Sequence, residues 1–321
     1  MIQSHHIDTA YVWLCKQRKH YPANSDVWHL RFHWTTERER ILTAITTGSY
    51  YFKPLQLITK ADGSRLHLWS SDDALVLKAL SLAIAPSLSL SKRCTHVKGH
   101  GGLKFTVRQV HNQLPQYQFV IRTDVRAFYE SINHPLLMDR LAGVIKDPDM
   151  LNLLCQCVHR CVEWGGLFRD IDKGIPRGCP LSPMLGAFYL NELDQQFEQD
   201  VEQGKVFYIR YMDDILIMTK KRWVLRKAIK RLNGIFNQLQ LEKHPDKTFI
   251  GKIAKGFDFL GYHFDRERLS LAAKTVSNAI VKVYRLYEQN KTEPDKGSAV
   301  IDKYCRRWLT WTVAGLHASV N

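Results

Sequence analysis

The run 206–218, Val-Phe-Tyr-Ile-Arg-Tyr-Met-Asp-Asp-Ile-Leu-Ile-Met, is apolar on both sides of two adjacent acids, Asp213 and Asp214. Its flanks are β-branched and aromatic, the composition of half-buried strands, so it predicts a hairpin with carboxylates at its tip. Packing the strands forces both acids into one small volume. At ~4 Å two like charges cost about 1 kcal/mol in bulk water and several times that near a protein surface, so a fold that crowds them generally holds a cation. Magnesium is the natural guest, because hard divalent ions prefer carboxylate oxygens and complete their shell with substrate phosphates. Taken alone, the pair is more often an ordinary acidic turn, since Asp favours turns.

A second run, 118–132, is again strand-like and delivers one acid, Asp124, where the hydrophobic stretch gives out. Three carboxylates from two strands make a two-metal site, which clamps the attacking and leaving oxygens of an in-line phosphoryl displacement, the chemistry of polymerases and nucleases. Tyr211-Met212-Asp213-Asp214 resembles the Y-x-D-D box of reverse transcriptases, and 124–129 resembles their preceding D-x-x-x-x-[FY] box. The resemblance implies two Mg2+ ions, with Mn2+ as a substitute, held at Asp124, Val125, Asp213 and Asp214. It also places the aromatic ring of Tyr129 beneath the incoming ribose, with Phe128 as the alternative ring.

A net charge of +15 and a pI near 9.5 point to a polyanionic partner, nucleic acid ahead of membrane. No run is long enough to span a bilayer and the first residues lack a signal-peptide pattern, so a cytoplasmic location is expected. The seven cysteines lack disulfide-framework spacing and are expected reduced. In 155–161 they recur with Leu151, Leu154, Val158 and Val162 at helical spacing, which favours packing over zinc. The glycine-rich 91–104 segment reads as a flexible loop, with Lys92, Arg93, Lys98 and Lys104 placed to meet phosphates.

Towards the N-terminus, 11–20 reads as a short helix, 27–34 as a strand or irregular aromatic segment, and 36–45 as a helix capped by Thr35-Thr36 and closed near Gly48. The stretch 50–69 predicts a hairpin turning at Asp62-Gly63, flanked by Lys60 and Arg65. It resembles the fingers hairpin of group II intron and related bacterial reverse transcriptases, which presents cations to the incoming triphosphate; without that resemblance it is a solvated hairpin. A helix over 73–90, stopped by Pro86, follows in the same order as in that family.

Between the acid boxes, 173–194 opens with Gly-Ile-Pro-Arg-Gly-Cys-Pro-Leu-Ser-Pro and continues as a helix whose buried face is Leu185, Tyr189, Leu193 and Phe197, with Ser182 at its N-cap. Gly186 lets another backbone or a nucleotide approach closely. The segment resembles the G-x-P-Q-G-x-x-x-S-P box that holds the template base and sugar, which implies roles for Pro176, Arg177, Gly178 and Ser182; Arg177 departs from the usual Gln. Beyond a clear helical stripe over 224–239, 244–248 resembles the h-P-x-K-T box, whose lysine, Lys247, would protonate the leaving pyrophosphate, and is otherwise a surface lysine. Residues 257–264 resemble the primer grip, which implies primer contacts at Phe259, Leu260 and Gly261. Two helical stripes follow, separated by a break over 294–297, with Trp308 and Trp311 among Lys303, Arg306 and Arg307.

Together the boxes identify an α+β right-hand polymerase with a fingers segment over 1–117, a ferredoxin-like palm over 118–265 carrying an insert around 135–175, and a short helical thumb over 266–321. They imply an RNA-directed DNA polymerase that takes deoxynucleotides and an RNA template and makes DNA. Nothing recognisable as an endonuclease follows the thumb, the Pro180-Leu-Ser-Pro183 ending differs from that of diversity-generating retroelements, and retron signatures are absent. The expectation is a stand-alone defence-associated enzyme with a dedicated non-coding RNA. A template-independent DNA polymerase and a non-catalytic RNA-binding or splicing cofactor are the alternatives.

Overall fold

The computed structural model describes residues 1–59, 63, 65–292 and 294–316, with the backbone alone at Arg65 and Pro294. In chain order the elements are α1 (Ser4–Gln17), α2 (Asp26–Phe32), α3 (Trp34–Thr46), β1 (Leu55–Thr59), β2 (Arg65–Leu68), α4 (Ser71–Ile84), α5 (Gly102–Gln113), β3 (Phe119–Thr123), α6 (Phe128–Ser131), α7 (His134–Val144), α8 (Pro148–Val158), β4 (Cys161–Trp164) and β5 (Leu167–Asp170). They continue with α9 (Ser182–Tyr189), α10 (Asn191–Glu202), β6 (Val206–Tyr211), β7 (Asp214–Thr219), α11 (Arg222–Gln238), β8 (Phe249–Lys252), β9 (Phe257–Phe259), β10 (Tyr262–Phe264), β11 (Leu269–Leu271), α12 (Ala273–Gln289) and α13 (Pro294–Leu316). Two units form: Met1–Leu90 with Arg126–Glu192 and Phe236–Leu241, and Ser91–Val125 with Leu193–Ile235 and the chain from Glu242 onward.

In the first unit a four-stranded sheet runs in the order β2-β1-β4-β5, antiparallel except for the β1–β4 pair. Helix α4 is capped by Ser70, whose hydroxyl accepts from the Asp73 amide at 3.1 Å, so it starts and ends earlier than the 73–90 reading. It is apolar nearly all round and correspondingly buried, with α1, α2 and α8 packed on it. The alternating look of 27–34 is misleading: α2 is a helix, because Val27 and Leu30, three apart, are the pair that buries. Thr35 and Thr36 lie inside the first turn of α3, whose N-cap is His33, while Gly48 does close that helix, with φ +67°. In α8 the buried sulfur is Cys157 and Cys155 is exposed; the helix stops at Val158, so Val162 belongs to β4. The proposed turn residues Lys60 and Asp62 lie outside the described residues.

The second unit is built on an antiparallel sheet in the order β6-β7-β3-β8. Numbered along the chain these four strands stand as 2-3-1-4, the ferredoxin-like order, with helices between the first and second strands and between the third and fourth. A core of Val107, Val110, Val120, Leu216, Met218, Phe257, Phe259 and Tyr262 joins α5, this sheet and the three-stranded sheet β11-β10-β9. Helix α13 starts at Pro294 and runs through Gly297, where a break was expected; proline is at home in a first turn. Trp311 packs on Tyr262, with ring centroids 5.3 Å apart, and so belongs to the core packing and not to a nucleic-acid track. Lys104, read as a phosphate contact, bonds the Tyr262 hydroxyl and the Trp311 carbonyl and lies 4.1 Å from the Trp311 ring.

Candidate active site

In the second unit β6 and β7 pair in register down to Tyr211 opposite Asp214, leaving Met212 and Asp213 as a two-residue tip. Met212 has φ +56°, the left-handed region that such hairpin turns need. Strand β3 lies antiparallel to β7 with Thr123 opposite Ile215, so the next residue, Asp124, arrives beside the tip. Asp124 is 4% exposed, while Asp213 and Asp214 are half-buried. Burial first, then a hydrogen bond shared with Asp124 and the charges of Asp124 and Asp214, push the Asp213 carboxyl up to about 7. Burial and the Asp124 charge push Asp214 up to about 6, against the opposing pull of Arg122 and Lys247. Burial is thus the main cause for both acids, and the neighbouring carboxylate charges add to it.

Lys247 sits in a short turn, 245–247, that follows the segment pinned to the end of β3. His244 donates its amide to the Asp124 carbonyl at 2.8 Å, Val125 bridges to Lys243, and the Thr123 and Thr248 hydroxyls meet at 2.7 Å. That anchoring puts Lys247 Nζ on Asp124 Oδ2, and the hydrogen bond to Asp124 raises the lysine's pKa. Among the described residues no three acids, histidines or cysteines stand as a ready-made metal cage. The donor chemistry nonetheless fits a divalent ion: the carboxylates of Asp124, Asp213 and Asp214 converge, the last two with raised proton affinity, and Lys247 now takes one oxygen that a metal would take.

The tip is supported by residues to which the sequence reading assigned no role. Arg210, inside an apolar strand and 0% exposed, donates from Nε to Asp194 of α10 at 2.8 Å, and Tyr208 donates its hydroxyl to the same carboxylate. The available signal was the charge itself, since a buried guanidinium in a strand demands a partner. The 91–101 segment, expected as a flexible loop, instead runs beside β6, with the Arg210 amide donating to Arg93 and the Thr95 amide donating to Arg210, each at 2.9 Å.

The β9–β10 turn is Leu260-Gly261, with φ values of +50° and +84°. Its carbonyl at Gly261 accepts from the Ala272 amide at 3.1 Å and the Thr275 hydroxyl at 2.9 Å. Phe259 points into the core, so it supports this turn and offers no surface to a primer.

Within the first unit Tyr129, Pro176, Arg177, Gly178 and Ser182 come together. Ala127, at φ +45°, turns the chain into α6; Phe128 is buried against Gly186, whose added Cβ would lie 3.0 Å from the ring, and Tyr129 is left half-buried. What approaches Gly186 is thus an aromatic ring and not a backbone. The loop before α9 is tied down by Gly174 N to Ile132 O at 2.8 Å, Ile175 N to Tyr129 O at 2.7 Å, and Ser182 Oγ to Pro176 O at 2.6 Å. Ser182 is the first residue of α9 and not its cap. Pro176 and Ser182 are buried supports, whereas Arg177 and Gly178 face outward, Arg177 paired with Glu130 at 2.9 Å. Lys60 lies outside the described residues, and Arg65 opens β2 opposite Thr59.

Residues 58–264 match the family described as reverse transcriptase (RNA-dependent DNA polymerase). Protein YkfC of Escherichia coli K12 is 26% identical over 237 residues, 61% of this chain and 61% of that protein. The group II intron-encoded protein LtrA of Lactococcus lactis is 20% identical over 298 residues, covering 70% of this chain and 49% of LtrA. This chain therefore spans about half to three-fifths of those relatives. Telomerase from Candida albicans superposes with a TM-score of 0.57 at 10% identity, covering 88% of this chain and 59% of the telomerase chain. With two acid-bearing strand ends in a ferredoxin-like sheet and a family match across them, the chain belongs to the reverse transcriptases, RNA-dependent DNA polymerases of the α+β right-hand fold.

Proposed function

We propose that the chain extends a primer 3′ end with deoxynucleotides on an RNA template, using Asp124, Asp213 and Asp214 as the ligands of two Mg2+ ions, with Val125 beside them and Mn2+ as a substitute. The observation that carries this reading is the convergence of three carboxylates at one end of strands β3 and β7, with Asp213 pushed up to about 7 and Asp214 to about 6. Such carboxylates exchange protons for hard cations readily near neutral pH. When bound, the ions supply charge neutralisation for the attacking and leaving oxygens of phosphoryl transfer. Asp213 and Asp214 hold that charge at the tip, and Asp124 orients it from β3. Lys247, whose pKa is raised beside Asp124, is protonated at neutral pH and supplies the proton for the leaving pyrophosphate.

Tyr129, the more open of the two adjacent rings, excludes a 2′-hydroxyl, and Arg177 and Gly178 meet the templating and incoming nucleotides. Lys60 and Arg65 meet the triphosphate, and Leu260 with Gly261 supports the primer end. The net charge of +15 supplies the long-range attraction for RNA and DNA. A dedicated non-coding RNA in antiphage defence is the role we assign, supported by the motif endings that separate this chain from retrons and diversity-generating retroelements. A second reading, in which the RNA partner is an intron, is favoured by relatives named as intron-encoded proteins. Sequencing the RNA that co-purifies with the protein separates the two.

The catalytic reading is tested by changing Asp213 and Asp214 together to Ala. DNA synthesis on an RNA template should vanish while RNA binding persists and the melting temperature does not fall, because the acids serve metals and not the core. Primer extension at the wild-type rate by this variant would end the two-metal assignment.

A further inference from the structure

The Met212 peptide, immediately before the acid pair, is gripped from both sides. Its amide donates to His96 Nδ1 at 3.0 Å, and its carbonyl accepts from Arg210 Nη1 at 2.7 Å. Met212 has φ +56°, a conformation that strains a side-chain-bearing residue and persists only where the surroundings over-determine it. The direction in which Asp213 and Asp214 leave the hairpin follows from that one residue's backbone.

Both gripping groups are themselves fixed. Arg210 is locked by Asp194, and its backbone carries the 91–101 segment on which His96 sits. The Thr95 hydroxyl adds a bond to the Arg210 carbonyl at 3.0 Å, and the His96 ring stands edge-on to Tyr211 with centroids 5.9 Å apart. An amide N–H only donates, so Nδ1 of His96 is the acceptor and the neutral ring carries its proton on Nε2.

We infer that His96, together with Arg210, is a positioning residue for the acid pair: it clamps the Met212 peptide in the left-handed conformation that brings Asp213 and Asp214 onto Asp124. This rests on the proposed reading of the three acids as metal ligands. His96 touches no substrate in this role, and a residue acting through peptide geometry should change metal affinity and turnover more than nucleotide affinity.

The test compares wild type, His96→Leu, His96→Asn and His96→Leu with Met212→Gly. Leu keeps bulk without an acceptor, Asn places Oδ1 where Nδ1 was, and Gly adopts positive φ without strain. Mn2+ binding is read by electron paramagnetic resonance without nucleic acid, alongside kcat and KM for extension on an RNA template and thermal unfolding. His96→Leu should weaken Mn2+ binding about tenfold and lower kcat about 100-fold, with KM for the deoxynucleotide changed by less than about threefold. His96→Asn should restore both quantities to within about threefold, and Met212→Gly should recover roughly tenfold of the kcat lost in the Leu background. If the Leu variant does not fold, His96→Gln, whose acceptor lies one methylene farther out, replaces it with the same expected losses.

A folded Leu or Gln variant with Mn2+ affinity and kcat within about twofold of wild type overturns the clamp, as does a loss that Asn fails to repair. Wild-type protein that binds Mn2+ through the acids but makes no DNA overturns the polymerase reading instead, and Mn2+ affinity then decides the clamp. Mn2+ binding that is unchanged by Asp213→Ala with Asp214→Ala overturns the metal reading and the clamp with it.

Discussion

Replacing Asp194 by Ala removes the counter-charge of Arg210 where both side chains are 0% exposed. In the folded protein burial pulls the Arg210 pKa down, and the Asp194 carboxylate more than offsets it, so the net direction is up. Without Asp194 the buried guanidinium loses its carboxylate partner and the Tyr208 hydroxyl loses its acceptor. Breaking one side of a buried pair costs about 3–5 kcal/mol. With unfolding entropy of about 2.1 cal/mol/K per residue, about 4 kcal/mol lowers the melting temperature by roughly 6 °C if the whole chain melts as one, and by roughly twice that if the second unit melts alone. Because desolvation dominates the loss, replacing both partners by apolar groups, Asp194→Leu with Arg210→Met, should recover most of the stability. DNA synthesis should not recover, because the Met212 carbonyl has then lost its donor. Differential scanning calorimetry and guanidinium titration measure the first effect and primer extension the second. A melting temperature for Asp194→Ala within about 2 °C of wild type, or a double variant no more stable than the single one, would refute the reasoning.

The acid pair makes metal-free stability depend on pH: with Asp213 at about 7 and Asp214 at about 6 against an ordinary 3.8, their protonation favours the fold fully below pH 3.8, and that contribution is lost as pH rises through 6 to 7. Mg2+ should therefore raise the melting temperature more at pH 8 than at pH 5, and equal shifts at both would count against the site. Gly174→Ala should cost about 2 kcal/mol or more and exceed Gly178→Ala, since both have positive φ but only at Gly174 would a Cβ meet backbone, 2.8 Å from Glu130 Cα and Tyr129 O; equal melting temperatures for the two variants would contradict this. Tyr129→Val should raise ribonucleotide incorporation about tenfold or more while sparing much of the deoxynucleotide activity, and an unchanged ratio in single-nucleotide extension with a folded protein would remove Tyr129 as the gate.

What the chain's own periodicity determined was local. The 206–218 hairpin and the α11 stripe are each specified by residues within a few positions of one another, so apolar spacing and turn chemistry suffice to read them. Asp124, Asp213 and Asp214 were legible for the same reason, as acids at the ends of apolar strands. Reading failed where tertiary burial chose between local options: α2 is a helix because Val27 and Leu30 are the positions that find a core, although its alternation also suits a strand. It failed again for Lys104, Trp311 and Phe259, whose types suit nucleic acid but whose surroundings are apolar packing. The support of the acid pair lay beyond sequence altogether, since His96 and Met212 are 116 residues apart and meet only after β6 has taken the 91–101 segment alongside it. Carboxylates announce themselves by their charge, whereas the groups that aim them act through backbone hydrogen bonds, which any residue type can make and which only the folded sheet assigns.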